Sequence, residues 1–395
     1  MKILMVLESD FPPDIRVENE IASMVEEGHE LHIACFSHKK QFKTPEGLDY
    51  VIHKKYIQKF IYKSSVGALK FKFYFNFWKR FISELFEDHL YEVIHIHDLP
   101  LAIIGVEARC TFGAKFVLDL HENWPALLML STHTNTLLGR ILSSNNQWQR
   151  YERRMVSEAD EIITVTDEAK KRITRLGVPG EHIHVVSNTL NLERYNFTQQ
   201  ETEKDYFTMV YGGGVNYHRG LQTAIKALQF ILEKIPNIRL LIIGSGSYLS
   251  NLKDLARSLG VEKYVEFTGW KPQKELLEMM SRSDVAIIPH IKSEHTDSTV
   301  PHKIFQYMYA GIPILSSDCL PLQRILDETG TGICFKNQNE QSFANSLFQL
   351  ISDKEFLEKI PDKGRYWVEK KYNWKKEAQV LTRIYKSFIH DHSGV

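Results

Sequence analysis

In the stretch "STVPHKIFQYMYAGIPIL", from Ser298 to Leu315, two basic residues, His302 and Lys303, stand in the first turn of what reads as a short helix. Ser298 or Thr299 can cap that helix, Pro301 suits its first position, Ile304, Phe305, Met308 and Tyr309 share one stripe, and Gly311 with Pro313 ends it. The free amides of a helix start favour negative side chains, so cations there imply an anion bound beside them. A second stretch asks for the same ligand. In "YGGGVNYHRGLQTAIKAL" a strand runs into Gly212, Gly213 and Gly214, and Arg219 precedes a helix. Glycines admit a close ligand and the guanidinium adds a planar donor fork, which together read as a phosphate cradle; a plain strand-to-helix loop has the same pattern. A third glycine run, "IIGSGSYL" with Gly244, lacks the last glycine of the dinucleotide fingerprint, and no acidic residue follows at ribose distance. A nicotinamide dehydrogenase is therefore disfavoured, and packing or a side contact to a nucleotide is expected.

Two polar strand ends add further candidates: His95, His97 and Asp98 in "VIHIHDLP", and His121, Glu122 and Asn123 in "LDLHENWP". A lone buried histidine is usually a satisfied core residue, but two such clusters at equivalent strand ends point to function. GxSxG, P-loop and HExxH motifs are absent. Cys35, Cys110, Cys319 and Cys334 show neither CxxC spacing nor a zinc-finger histidine, so no metal site and no disulfide framework is expected, and a reducing cytoplasm fits best.

The elements that must position these groups alternate along the chain. Short apolar runs ("KILMVL", "ELHIACF", "EVIHIHD", "AKFVLDLH", "EIITVT", "HIHVVSN", then "FTMVYGG", "RLLIIG", "YVEFTG", "VAIIPH", "IPILSS", "TGICF") are separated by helical patterns, the mark of parallel sheets covered on both faces. The pattern restarts after a polar stretch at about 190–206, taken as a linker. With 395 residues, this predicts two doubly wound α/β domains, 1–195 and 196–373, with ligands at the carboxyl ends of the strands in the cleft between them. The 49 basic and 49 acidic residues cancel, which argues against nucleic acid as a partner and makes any anion site local. "MKILMVLESD" has too short an apolar run for a signal peptide and reads as a first strand, and no run is long enough to span a membrane.

One segment is biased. From Tyr50 to Ser83 there are eight Lys/Arg residues and no Asp or Glu, with ten aromatics between Tyr56 and Phe81. Such a surface suits an anionic membrane face, with roughly 1 kcal/mol per cation near the lipid; alternatively the aromatics belong to the core.

Taken together, "MKILMVLESDFPPDIRVENEIASMVEEGHELHIACF", "VIHIHDLPLA", "FVLDLHENWP", "HVVSNTLNLERY", "YGGGVNYHRGLQTAIKAL", "VEFTGWKPQKELLEMMSRSDVAIIPH" and "VPHKIFQYMYAGIPILSSD" resemble glycosyltransferase family 4 over nearly the whole chain and in the right order. The resemblance implies a GT-B fold of two Rossmann-like domains and retaining transfer from a nucleotide diphosphate sugar without a metal or other cofactor. It also implies that a final helix within 374–390 crosses back to the first domain. Residue by residue, it implies His121 at the transferred sugar, and Arg219 and Lys303 with Gly212, Gly213, Gly214 and Gly244 at the diphosphate. Trp270, Lys271, Pro289 and His290 fall where base and ribose lie, and Asp297, Ser298, Thr299, Val300, His302 and Gln306 where sugar and phosphates are touched. Pro13, Asp14 and Arg16 of "PPDIRV", with His97, Asp98, Glu122 and Asn123, fall on the acceptor side, Asp14 and Arg16 at the edge of the cleft. Three positions depart: the family commonly has two glutamates where this chain has Ser298 and Gln306, a basic residue at Gly214, and Gly-Gly in the first loop.

The resulting expectation is a transferase acting on a glycan or lipid-linked acceptor in cell-surface polysaccharide or glycolipid synthesis, cytoplasmic and peripheral on the membrane through 50–83. A nucleotide-sugar epimerase of the same architecture and a non-catalytic binding homologue are the alternatives.

Overall fold

The computed structural model describes residues 1–42, 45, 47–130, 143–195 and 206–391, of which 390 and 391 by backbone alone. The chain divides into two compact units, Met1–Ser187 with Lys375–Val395, and Asn188–Trp374.

In the first unit seven parallel strands, β1 (Lys2–Val6), β2 (Glu30–Ser37), β3 (Val51–Tyr56), β4 (Val93–His97), β5 (Lys115–Leu120), β6 (Glu161–Thr164) and β7 (Ile183–Val185), lie in the order β3-β2-β1-β4-β5-β6-β7. The central strands are buried because helices cover both faces, with Ile3 to Val6 and Val93, Ile94 and Ile96 fully buried, and the buried polar residues of β4 and β5 are His95, His97 and Asp119. Strand order reverses between β1 and β4, so the loops after these strands splay apart and open a crevice at their carboxyl ends, where such sheets bind ligands.

Strand β3 escapes a reading of hydrophobic runs. Its residues VIHKKY are half-exposed, as suits an edge strand, and they open the basic segment. That segment divides by face. Tyr74, Phe75, Trp78 and Phe81 of the Phe73–Asp88 helix enter the core, whereas Phe60 (66% exposed), Phe71 (48%) and Phe73 (55%) face solvent. Among the described residues no helix is long and apolar enough to cross a membrane.

The second unit repeats the plan with β8 (Phe207–Gly212), β9 (Ile238–Ile243), β10 (Val265–Gly269), β11 (Val285–Ile288), β12 (Ile314–Ser317) and β13 (Gly332–Phe335), in the order β10-β9-β8-β11-β12-β13. Its reversal falls between β8 and β11. Residues 190–195, read from the sequence as linker, instead belong to this unit: Leu190 and Tyr195 are buried in its core with Ile304, Phe305 and Met308. The rest of the expected linker, 196–205, lies outside the described residues.

The Trp374–Asp391 helix packs on the first unit. Its Tyr385 is fully buried and its hydroxyl meets His95 Nδ1 at 2.6 Å, while Glu377 accepts a hydrogen bond from the Ser187 amide at 2.8 Å.

Candidate functional site

Each unit gathers polar groups at its own strand reversal. In the second, β8 ends in Gly212 and the loop continues through Gly213 and Gly214. The amides of Gly212 and Gly213 are engaged inside the fold, donating to Tyr307 Oη at 3.0 Å and Ile243 O at 2.8 Å. The loop therefore offers room rather than a row of donors. Gly213 has φ of +133°, and a Cβ added there would lie 2.8 Å from Lys303 Nζ. Gly244 makes room in turn, since a Cβ on it would strike Gly213 O at 1.9 Å, so it is a spacer under the loop rather than a ligand group.

Lys303, on the Lys303–Tyr309 helix, is only 8% exposed, and its ammonium lies 3.6 Å from the centre of the Tyr211 ring. Burial, with Arg219 adding repulsion, pushes its pKa well below the ordinary lysine range. Arg219 lies close, its Nη1 3.4 Å from His290 Nε2 and its buried Nε without a hydrogen-bond partner. Among the described residues no carboxylate pairs with either cation. Burial and these cations also hold His218 down to about 4 and His290 well below its usual range, and burial with His218 and Arg219 holds His295 down to about 4. Burial does the same for His302, to about 4. Desolvating a cation costs several kcal/mol and a ring face returns about 2 kcal/mol. The pocket is thus short of negative charge.

The helix start differs from the sequence reading. The N-cap is His302 with no side-chain cap, because Ser298 Oγ donates back to Glu294 O (2.7 Å) and Thr299 Oγ1 to His295 O (3.2 Å). With His302 neutral, one cation stands there, not two, and the Lys303 side chain rather than a row of helix amides answers the anion question. Gln306 donates through Nε2 to Tyr195 Oη at 3.1 Å. Asp297 accepts from the Leu320 amide at 2.8 Å, Val300 is buried, Pro289 and His290 follow β11 in buried positions, Trp270 is 73% exposed, and Lys271 pairs with Glu275 at 3.0 Å.

In the first unit, Arg16 reaches from the Ile15–Glu26 helix into the sheet. Its Nη2 binds both Asp119 oxygens (3.2 and 3.0 Å), its Nη1 donates to Val186 O (2.9 Å), and its Nε lies 3.0 Å from Glu20 Oε1 and 3.1 Å from His121 Nε2. His121 Nε2 is also 3.0 Å from Asp119 Oδ2, so the ring accepts from Arg16 when neutral and donates to Asp119 when charged. Against burial, Asp119 and Asp98 push its pKa up to about 9, so the ring is charged at neutral pH. Asp98, with φ of +66°, accepts from the His121 amide at 3.1 Å. Such left-handed strain in a residue other than glycine costs roughly 1–3 kcal/mol and marks a position the fold insists on. His97 is buried, its ring stacked on His95 with centres 4.4 Å apart and its Nδ1 3.3 Å from His121 Nε2. Glu20, His95, His97 and Asp119 converge closely enough to hold a cation, but Arg16 already serves both carboxylates, and the guanidinium takes that role.

Two family models match the chain, "Glycosyl transferases group 1" over residues 193–367 and "Glycosyltransferase Family 4" over residues 15–194. The chain belongs to glycosyltransferase family 4. A relative from Methanocaldococcus jannaschii, the uncharacterized glycosyltransferase MJ1607, is 26% identical over 334 residues, covering 79% of this chain and 81% of its own. Sucrose-phosphate synthase from Thermosynechococcus elongatus superposes with a TM-score of 0.81 at 15% identity over 99% of both chains. Anabaena Alr3699/HepE in complex with UDP-glucose gives 0.68 at 15% identity, over 98% of this chain and 100% of its own. With the two parallel sheets, these likenesses establish the GT-B fold.

Within this family 4 chain the acceptor-side set falls apart by role. Asp14 is an N-cap, accepting from the amides of Arg16 (3.1 Å) and Val17 (3.2 Å), and Asn123 Oδ1 accepts from the Ala126 amide at 3.4 Å. Arg16 is only 6% exposed and belongs inside the sheet rather than at an edge. Asp98 and His121 keep partly open side chains, Glu122 is half-buried and Pro13 exposed. Sequence reasoning missed Glu8, Glu20 and Asp119. Glu8 follows β1, accepts from Tyr74 Oη at 2.7 Å, and is pushed up to about 7 by burial. The readable signal was Asp119, a single charge inside the apolar run "FVLDLH".

Proposed function

We propose that this chain is a retaining glycosyltransferase that moves a sugar from a nucleotide diphosphate sugar to a glycan or lipid-linked acceptor. The observation that carries this reading is buried Lys303 with half-buried Arg219 beside the Gly213 loop, two cations with no carboxylate partner among the described residues. A diphosphate has the charge and size to complete them, and the UDP-glucose bound by Alr3699/HepE supports a donor of that class. In transfer, the bond from the sugar carbon to the diphosphate oxygen breaks as the bond to the acceptor oxygen forms on the same face. The acceptor proton passes to a phosphate oxygen. Lys303 and Arg219 neutralise the charge that grows on the diphosphate, the role a metal ion fills elsewhere, and being held in place beforehand they need no reorganisation. His121, charged and held by Asp119 and Asp98, is assigned to the sugar hydroxyls.

The acceptor is proposed to be presented on an anionic membrane, and Phe60, Phe71 and Phe73 are the groups that would enter the lipid interface. Lys79 does not join them, because it pairs with Glu107.

A thermal-shift screen of UDP, GDP, ADP and dTDP identifies the base, and release of that diphosphate from the matching sugar nucleotides then gives the rate. Arg219→Ala should lower turnover by about 10² to 10³; a near-normal rate would overturn the assignment. Conversion of the donor with no acceptor present would instead indicate an epimerase.

A further inference from the structure

On the β3-β2 side of the first sheet, toward the amino ends of these strands, three imidazoles meet that no motif announces. His32 is on β2, His53 on the edge strand β3, and His89 directly follows the Phe73–Asp88 helix. Their candidate ligand nitrogens lie within 4.8 Å of one another, with ring centres 4.9, 5.0 and 5.5 Å apart. We propose that His32, His53 and His89 form a binding site for a zinc-class divalent cation that ties the edge strand to its neighbour and to the end of the aromatic helix.

His53 Nε2 is 2.9 Å from His32 Nδ1. Two nitrogens on a tetrahedral zinc, each about 2.0–2.1 Å from the metal, stand roughly 3.3 Å apart, so closure needs only small ring movements. The other nitrogen of His32 faces Glu30 Oε1 at 3.1 Å. That carboxylate holds the Nε2 hydrogen and leaves the Nδ1 lone pair inward, as the outer carboxylate of a metal-bound histidine does. Tyr91 Oη, 2.7 Å from Nδ1, holds that lone pair in the free protein and yields it to the cation. The Lys2 ammonium is the nearby charge that opposes a cation; it is paired with Glu30 at 2.9 Å, and the Asp88 carboxylate acts against it from the side of His53. His53 and His89 are half-buried, leaving an entry path and a fourth position for water. Three imidazoles suit zinc, with copper and nickel as chemical competitors.

The test uses the full-length chain without a histidine tag, titrated calorimetrically with Zn²⁺ at pH 7.5. One ion per chain is expected, with a rise in melting temperature that a chelator reverses, because a ligand that binds only the folded state stabilises it. The chain has 17 histidines, so variants must locate the ion. His53→Gln and His89→Gln, at half-buried positions, should keep the far-ultraviolet circular dichroism and each weaken Zn²⁺ binding at least tenfold. His182→Gln, at an exposed histidine, should leave binding unchanged. Failure of the native chain to take up Zn²⁺, or native affinity in either the His53 or the His89 variant, would overturn the proposal. None of these readouts depends on transferase activity.

Discussion

Lys303, the proposed partner of the donor diphosphate, is held at the expense of the fold. Its ammonium is desolvated against Tyr211 and Gly213 without a carboxylate. Replacing such an uncompensated charge with an apolar chain of similar shape removes a cost. Lys303→Met should therefore lower turnover by about 10² to 10³ while leaving the melting temperature of the ligand-free protein unchanged or higher. A large loss of stability would show that the ammonium has a structural partner. At residue scale the sequence pointed to groups that the fold brings together: Lys303 stood out as a cation at a helix start, Arg219 as a cation after strand-end glycines, and the two lie close beside Gly213. Asp14 and Asn123 were less legible. A carboxylate or amide ahead of a helix can cap it or bind a ligand, and in the fold both accept from helix amides, those of Arg16 and Val17 and that of Ala126.

At the scale of elements, the loop after β8 is shaped by what it must not contain. Gly213→Ala would place a side chain at φ of +133° and press on the Lys303 ammonium. The strain is worth roughly 1–3 kcal/mol, and diphosphate affinity should fall at least tenfold as the cation is displaced. Calorimetry showing native affinity would contradict this account of the loop. The basic aromatic segment is likewise an element-scale question. Phe60→Ser with Phe73→Ser should reduce sedimentation with anionic vesicles severalfold without changing the circular dichroism, since both side chains face solvent; unchanged sedimentation would remove the membrane reading. Eleven of the twelve apolar runs read from the sequence needed only period and length to be recognised, and "HIHVVSN" was found as the short β7. Strand β3 was not recognised, because an edge strand buries only one side and its VIHKKY lacks an apolar run. Nor does any local pattern report that Leu190 and Tyr195 pack against residues more than a hundred positions later.

The molecule as a whole should be least stable at the two ends of the pH scale, because its buried histidines are shifted in opposite directions. In the second unit, His218, His295 and His302 have folded pKa values of about 4 against 6.5 unfolded. Between those values the unfolded chain takes up protons that the folded one refuses, so this unit loses stability as pH falls from 6.5 toward 4. In the first unit His121 runs the other way. With a folded pKa of about 9, its contribution is complete below 6.5 and is lost as pH rises through 9. Urea unfolding at pH 5, 7 and 9 should give a maximum near neutrality, and a bound diphosphate should protect more at pH 5 than at pH 7 by drawing protons onto the nearby histidines. Equal protection at both would mean the anion does not sense them.

The first unit is built from both ends of the described chain, with the second inserted between Ser187 and Lys375. During synthesis the inserted unit can therefore finish folding while the first still waits. His95, stacked on His97 and through it in touch with His121, receives its Tyr385 partner only when the last helix leaves the ribosome. If the second unit holds the donor and His121 meets the sugar, as proposed, a nascent chain would bind donor before that histidine is arranged, and an interrupted translation product would sequester nucleotide sugar without consuming it.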